Sequence, residues 1–170
     1  MTPKLDTETV EICPATLADV ARISALHARV FGPGRFSRTA YRLREGAPRV
    51  SKFCRKALKA KELVAAVSFT QISIGGTSGA LLLGPLAVAP EVSNQGLGRE
   101  LIATGLREAE REGIAVVLLV GDKPYYERFG FDHVPPGQIK LPGPVDPQRL
   151  LAWQAKPGVL ESFAGMARAE

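Results

Sequence analysis

Residues 80–120 constrain the fold more than any other stretch of this 170-residue chain. Residues 80–88 (ALLLGPLAV) form a nearly continuous apolar run, the pattern of a strand buried on both faces. Between residues 96 and 112, Leu97, Leu101, Ile102, Leu106 and Ala109 share one face against Glu100, Arg107, Glu108 and Arg111. That is the spacing of an amphipathic helix, and Gly113 follows as its C-terminal stop. Residues 115–120 (AVVLLV) are a second wholly apolar, β-branched strand. Strand, helix and strand in this order predict a right-handed βαβ unit with parallel strands. Pro85 lies inside the first strand and has no N–H for a ladder, so regular pairing is expected to fail there through a bulge or a splay.

The rest of the chain supplies partners for this unit. Residues 7–13 alternate as a strand does. Thr16 has the chemistry of an N-cap, with Asp19 three residues on, and Leu17, Val20, Ile23, Ser24, Leu26, His27 and Val30 continue at helical spacing until Gly32-Pro33-Gly34. A shorter helix fits residues 38–45. Strands fit 51–58 and 63–74, with a turn at 59–62, and 75–79 reads as a loop. After residue 120 come a short helix at 123–129, a strand at Phe131, a Pro/Gly-rich loop at 135–147 and a last strand at 150–154. No internal repeat or linker divides the chain, so the reading is one α/β domain over residues 1–170 with a mixed central sheet.

Composition removes several classes. No apolar run approaches the ~18 residues of a membrane span, and the N-terminus has no signal-like apolar stretch, so a cytoplasmic protein is expected. Cys13 and Cys54 lack the spacing of a disulfide framework or zinc knuckle, and His27 and His133 are isolated, so no metal is expected. With 22 Lys+Arg against 17 Asp+Glu the formal net charge is +5, which permits a polyanionic partner; a phosphate-rich cofactor explains it equally well.

The chemistry is expected around Asn94-Gln95-Gly96-Leu97-Gly98-Arg99. After a buried strand and a six-residue connection, Ala89 to Asn94, two glycines open a helix, so backbone N–H groups can close on an anion at the positive end of the helix dipole. The glycines could equally serve only as a tight helix entry. No Walker A string is present. A dinucleotide fingerprint would need a small residue where Leu101 stands, and the glycines come too long after the strand.

A second segment, Tyr125-Tyr126-Glu127-Arg128-Phe129-Gly130-Phe131, makes the pattern specific. Together with Leu86-Ala87-Val88-Ala89-Pro90 and Gln95-Gly96-Leu97-Gly98-Arg99 it resembles the GCN5-related N-acetyltransferases, the GNAT superfamily, and in particular its small bacterial members. Gly121-Asp122, Pro142-Gly143-Pro144 and Lys156-Pro157-Gly158 are similar too. The likeness runs from about Val10 to the C-terminus and is strongest over 80–131. It implies a GNAT fold, a mixed sheet of about six to seven strands with a splayed central pair, flanked by about four helices. It also implies direct transfer of an acetyl group from acetyl-CoA to an amine of a small molecule or protein, with CoA as product.

On that resemblance, Leu86, Ala87 and Val88 would present backbone groups to the pantetheine arm, and the Val88 amide would stabilise the thioester oxyanion. Asn94, Gln95, Gly96, Leu97, Gly98 and Arg99 would cradle the pyrophosphate. Tyr126 matches the tyrosine that in many members protonates the departing thiolate; a phenol of pKa ~10 carries its proton at neutral pH. Ser93 and Asn94 depart from the usual loop, where Gln or Arg and then Gly are common.

Other residues read more simply. Cys54 fits a buried strand, His27 a core or groove position, and Trp153 either the last strand or the acceptor cleft. His27, His133 and Glu62 are each chemically able to act as general base, and none is singled out. Eleven basic residues lie between Arg29 and Lys61 against Glu45 alone. They suggest a solvated face or an attraction for an acidic acceptor. Two other functions remain open: a non-catalytic acyl-CoA sensor, and a nucleic-acid-associated protein. The latter lacks the interleaved aromatics of a single-strand platform. Monomer and homodimer are both compatible with the sequence.

Overall fold

The computed structural model describes residues 9–33 and 39–170. Strands β1 (Val10–Pro14), β2 (Arg55–Lys59), β3 (Glu62–Ile74) and β4 (Thr77–Val88) pair antiparallel in that order. β5 (Val116–Val120) joins β4 in parallel; β8 (Leu150–Gln154) and then β6 (Asp132–His133) follow, antiparallel. Off this path, β9 (Gly165–Ala169) pairs with the far end of β3, and β7 (Ile139–Lys140) pairs with β9. Among the described residues four α-helices flank the sheet: α1 (Val20–Phe31), α2 (Thr39–Arg44), α3 (Leu97–Arg111) and α4 (Lys123–Tyr126). The expected mixed α/β class is observed, with nine strands among the described residues in place of six to seven.

The βαβ unit forms as the apolar runs require. β4 and β5 pair only at Ala80↔Val116, Leu81↔Val117 and Leu82↔Leu118, and beyond Leu82 they part. On its other edge β4 slips register against β3: Leu83 faces Phe69 while Leu86 faces Val67, which leaves one extra residue on β4 around Gly84 and Pro85. Both expected consequences of Pro85, a bulge and a splay, are present. The position where an N–H is missing is where the sheet opens.

α3 covers the sheet behind this opening. Leu101 and Ile102 are fully buried and Leu97 and Leu106 nearly so, each burial contributing about 1.5–3 kcal/mol. Gly105 brings helix and sheet together: a Cβ there would stand 2.3 Å from the Phe69 ring. At the head of α1, Asp19 is 1% exposed and accepts from the Thr16 N–H at 2.8 Å, with Lys56 at 2.7 Å and Arg22 at 2.6 Å. Burial raises the Asp19 pKa, but Lys56, the Thr16 amide and Arg22 outweigh it and hold the carboxyl well below the usual range. The capping pair anticipated from Thr16 and Asp19 thus also ties α1 to β2.

Several boundaries differ from expectation. Ser51 to Cys54 form a turn (Cys54 N–H to Ser51 carbonyl, 3.1 Å), so β2 begins only at Arg55. The loop anticipated at 75–79 is a two-residue hairpin turn: Gly75 (φ 58°) and Gly76 (φ 83°) both take left-handed conformations, and β4 starts at Thr77. The strand expected at 150–154 is not the last element. A 3-10 turn (Val159–Ser162) and β9 follow, and β7 interrupts the supposed 135–147 loop. Residues 7, 8 and 38, assigned above to the first strand and second helix, lie outside the described residues.

The basic segment disperses on folding. Arg29 pairs with Glu91, Lys52 with Glu112 and Lys56 with Asp19, while buried Arg55 donates to the carbonyls of Lys52 and Cys54. No helix among the described residues is long and apolar enough to cross a membrane.

Candidate active site

The opening between β4 and β5 holds a cavity of about 580 Å³. Its floor comes from Leu83–Leu86 on β4 and from Leu119 to Asp122 at the end of β5; Tyr125 and Tyr126 close one side. α2 and residues 144–149 form the opposite wall, fastened by the Thr39 hydroxyl donating to the Pro144 carbonyl at 2.6 Å. Gly143 lets these two segments meet, since a Cβ there would stand 2.8 Å from Thr39 Oγ1.

Backbone polarity points into the same opening. The Ala89 N–H bonds the Val64 carbonyl at 2.8 Å, toward β3. Donors on an antiparallel strand alternate sides, so the N–H of the preceding residue, Val88, faces away from β3 and toward the side β5 has vacated. A few residues on, Asn94 (φ 62°) and Gly96 (φ 81°) both take left-handed conformations and turn the chain into α3. The first intrahelical bond is from Glu100 N–H to the Gly96 carbonyl, so the amides of Leu97, Gly98 and Arg99 have no acceptor within the helix. These three donors sit at the positive end of a fifteen-residue helix.

Gly98 lies at the join between that amide cluster and the splay. A Cβ on it would be 3.0 Å from Tyr125 Oη, 3.4 Å from Leu86 Cδ2 and 3.9 Å from Val88 Cγ2. A side chain here would therefore crowd the space between the helix N-terminus and Tyr125. Ser93, exposed, turns its hydroxyl back onto the Pro90 carbonyl at 2.9 Å and closes the loop instead of reaching the helix end. Gln95 and Arg99 are exposed, whereas the Leu97 side chain is buried and only its amide is at hand.

Tyr126 lines the cavity, with its ring on Gly121, where a Cβ would be 2.5 Å from the ring edge, and edge-on to Phe131 with centroids 6.0 Å apart. Burial, then neighbouring Tyr125 and Asp122, push its phenol up to about 12. It is therefore fully protonated at neutral pH. Tyr125 stands edge-on to it at 4.9 Å and sends its hydroxyl toward Gly98. In the sequence Tyr125 stood out only as part of the Tyr125 to Phe131 motif, with no role of its own. One signal would have separated the two: neighbours on a helical turn point about 100° apart, so a single ring could pack on Gly121.

The structure thus brings Leu86 and Tyr126 together in the cavity, sets Val88 and Gly98 beside Tyr125 at its entrance, and leaves Asn94, Gln95, Gly96, Leu97 and Arg99 on the adjoining loop and helix turn. Ala87, 1% exposed, faces the core with its side chain. His27 and Cys54 line a separate, smaller cavity. Exposed His133 sits within 2.9 Å of the Gln148 carbonyl through Nε2. Glu62 is exposed at the start of β3, and Trp153 packs over Gly130 and does not line the splay cavity. The carboxylates that line the splay cavity are Asp122 and Asp146; Asp122 is held by Arg149 at 3.3 Å.

A mixed sheet opened at one parallel strand pair, with unpaired helix-start amides beside it, offers an exposed strand edge next to the positive end of a helix. Residues 55–133 match the family described as Acetyltransferase (GNAT) domain. It is 31% identical over 121 residues to the uncharacterized N-acetyltransferase YjhQ of Escherichia coli, an alignment covering 68% of this chain and 65% of the relative. It is 33% identical over 72 residues to YhbS of the same organism, covering 42% and 43%. The chain thus spans less than two thirds of either relative's length. The fold of Escherichia coli YhbS, solved with CoA, superposes with a TM-score of 0.79 at 24% identity, over 95% of this chain and 89% of that one. A GNAT-family acetyltransferase of Brucella melitensis, solved with acetyl-CoA, gives 0.61 at 25% identity over 87% and 97%.

Proposed function

We propose that residues 1–170 act as one acetyltransferase domain that moves an acetyl group from acetyl-CoA to an amine. The observation that carries this reading is the opening of β4 from β5, with the Val88 N–H on the vacated side and the free amides of Leu97, Gly98 and Arg99 just beyond. The order of these donors, a strand-edge amide and then helix-start amides, suits a ligand with a thioester at one end and a diphosphate at the other. CoA-bound and acetyl-CoA-bound relatives of the same fold support the identity of that ligand.

In this reading the loop and helix start (Asn94, Gln95, Gly96, Leu97, Gly98, Arg99) hold the diphosphate. Leu86, Ala87 and Val88 supply the strand edge along which the pantetheine amides pair. The amine nitrogen attacks the thioester carbon, the carbon–sulfur bond breaks, and the proton lost by nitrogen passes to solvent. The Val88 N–H faces the carbonyl oxygen as negative charge develops there, an interaction stronger in the transition state than before it. Tyr126 faces the departing sulfur. Its pKa of about 12 lies above the ~8.5 of an ordinary thiol, so complete proton transfer to sulfur is uphill. Tyr126 therefore acts mainly as a charge-assisted hydrogen-bond donor to the thiolate.

Release of free CoA thiol from acetyl-CoA across a panel of primary amines tests the proposal. Release that requires both protein and amine, with a product one acetyl group heavier, is the expected result. Tight CoA binding with no amine-dependent release would identify an acyl-CoA sensor instead.

A further inference from the structure

Arg44, at the C-terminal end of α2, lines both the splay cavity and the smaller cavity of about 300 Å³ between α1, α2 and β3. One guanidinium nitrogen, Nη1, donates to the Gly84 carbonyl at 2.6 Å, at the bulge where the sheet opens, and its carbon lies 5.0 Å from the centre of the Tyr41 ring. No carboxylate of the described residues lies within ion-pairing distance of it. Five cations on the α1–β2 side are instead satisfied: Arg22, Arg29, Lys52 and Lys56 each have a carboxylate, and Arg55 donates to two backbone carbonyls. Arg44 is also the one whose burial is felt most, which pulls its guanidinium down to about 10, still fully charged at neutral pH.

A fixed, partly desolvated cation without a counter-charge is costly to maintain in a fold, and an anion arriving beside it offsets that cost. The surroundings suit a small one. Ser24, Ser68 and Thr70 line the adjoining cavity with hydroxyls, and the guanidinium is pinned through one edge only, leaving donors for a fork-like contact. We propose that Arg44 is a specificity residue that anchors a carboxylate of the acceptor, so that the amine substrate is a small amino-carboxylate. This rests on the acetyltransferase reading above, because it assumes that the acceptor amine lies in the splay cavity with Tyr126. A polyamine is a poor fit, since it would place a second cation against Arg44.

The test compares L-amino acids with their C-terminal amides as acceptors, in the parent protein and in Arg44→Gln and Arg44→Lys. The readout is the ratio of kcat/KM for acid over amide, which cancels any general damage from losing the Gly84 contact. The parent should prefer the acids. Arg44→Gln should reduce the ratio by about tenfold or more, the usual scale of a hydrogen bond to a charged group, and Arg44→Lys should recover part of it. Binding of the same acids and amides is measured in parallel by thermal shift, with CoA present and absent. If no amine is acetylated but the acids still stabilise the protein in an Arg44-dependent way, the transfer reading fails and the carboxylate site stands. Equal ratios in parent and Arg44→Gln, or amides accepted as well as acids, overturn the proposal while leaving acetyl transfer intact.

Discussion

Replacing Gly98 with valine separates ligand binding from folding. An alanine Cβ at this position would meet Tyr125 Oη at 3.0 Å, close enough that the phenol end must shift by a few tenths of an ångström, and a tyrosine side chain can do that. Alanine also favours a helix over glycine by up to ~1 kcal/mol, so Gly98→Ala should leave stability near that of the parent. Valine adds two methyls beyond that Cβ, and these crowd the space among Tyr125, Leu86 and Val88 beside the helix start. Residue 98 is only partly buried, so the fold should survive. CoA at a hundred times its dissociation constant stabilises a protein by about 2.7 kcal/mol. For a domain of this size that raises Tm by roughly 5–10 °C. A hundredfold loss of affinity cuts the gain at the same CoA concentration to about 0.4 kcal/mol, a shift near 1 °C. Differential scanning fluorimetry with and without CoA, NAD serving as the control nucleotide, measures both quantities. Full retention of the CoA shift in Gly98→Val, with the ligand-free Tm unchanged, would refute the placement of the cofactor beside Gly98.

Three further outcomes follow from the geometry. Tyr126→Phe keeps the ring on Gly121 and beside Phe131, so stability and CoA affinity should hold while single-turnover acetyl transfer slows by roughly 10²-fold; a rate within twofold of the parent would remove Tyr126 from the chemistry. Asp19→Asn should cost about 3 kcal/mol, because it leaves Lys56 and the head of α1 without their carboxylate. The Asp19 pKa is depressed on folding, so its contribution is present above the unfolded value of about 3.9 and lost as pH falls below it; urea midpoints should drop less steeply below pH 4 in Asp19→Asn than in the parent. Gly105→Val should destabilise by about 1–3 kcal/mol or more despite removing a helical glycine, since its side chain would overlap the Phe69 ring; an equal or higher urea midpoint would show that α3 can lift from β3 freely.

Much of this site was legible in the sequence because two local rules act without tertiary help. Pro85 cannot donate in a ladder, and Gly96 with Gly98 opens a helix whose first amides are free; both facts hold wherever the strand and helix end up. The sheet itself was read less completely. β9 shows only one fully buried side chain, Ala167, and joins β3 mainly through backbone pairing, which leaves no hydrophobic alternation to find. Its neighbourhood is fixed by Gln138, whose amide donates to the carbonyls of Leu160 and Phe163 at 2.8 and 2.9 Å, a contact between residues more than twenty apart that no local pattern records. Arg44 was invisible for the opposite reason. It was one of eleven cations in a basic stretch, and only folding separates those that find carboxylates from the one placed at the bulge.

Amide-resolved hydrogen exchange on the free and CoA-bound protein tests most directly whether the β4 edge and the start of α3 form the cofactor site. In the free protein Leu97, Gly98 and Arg99 lack intrahelical acceptors and Val88 faces the open side of β4, so all four amides should exchange quickly. With saturating CoA the account predicts that these four slow together, while NAD at the same concentration leaves them unchanged. Protection appearing elsewhere in the chain, or equally with NAD, would contradict it.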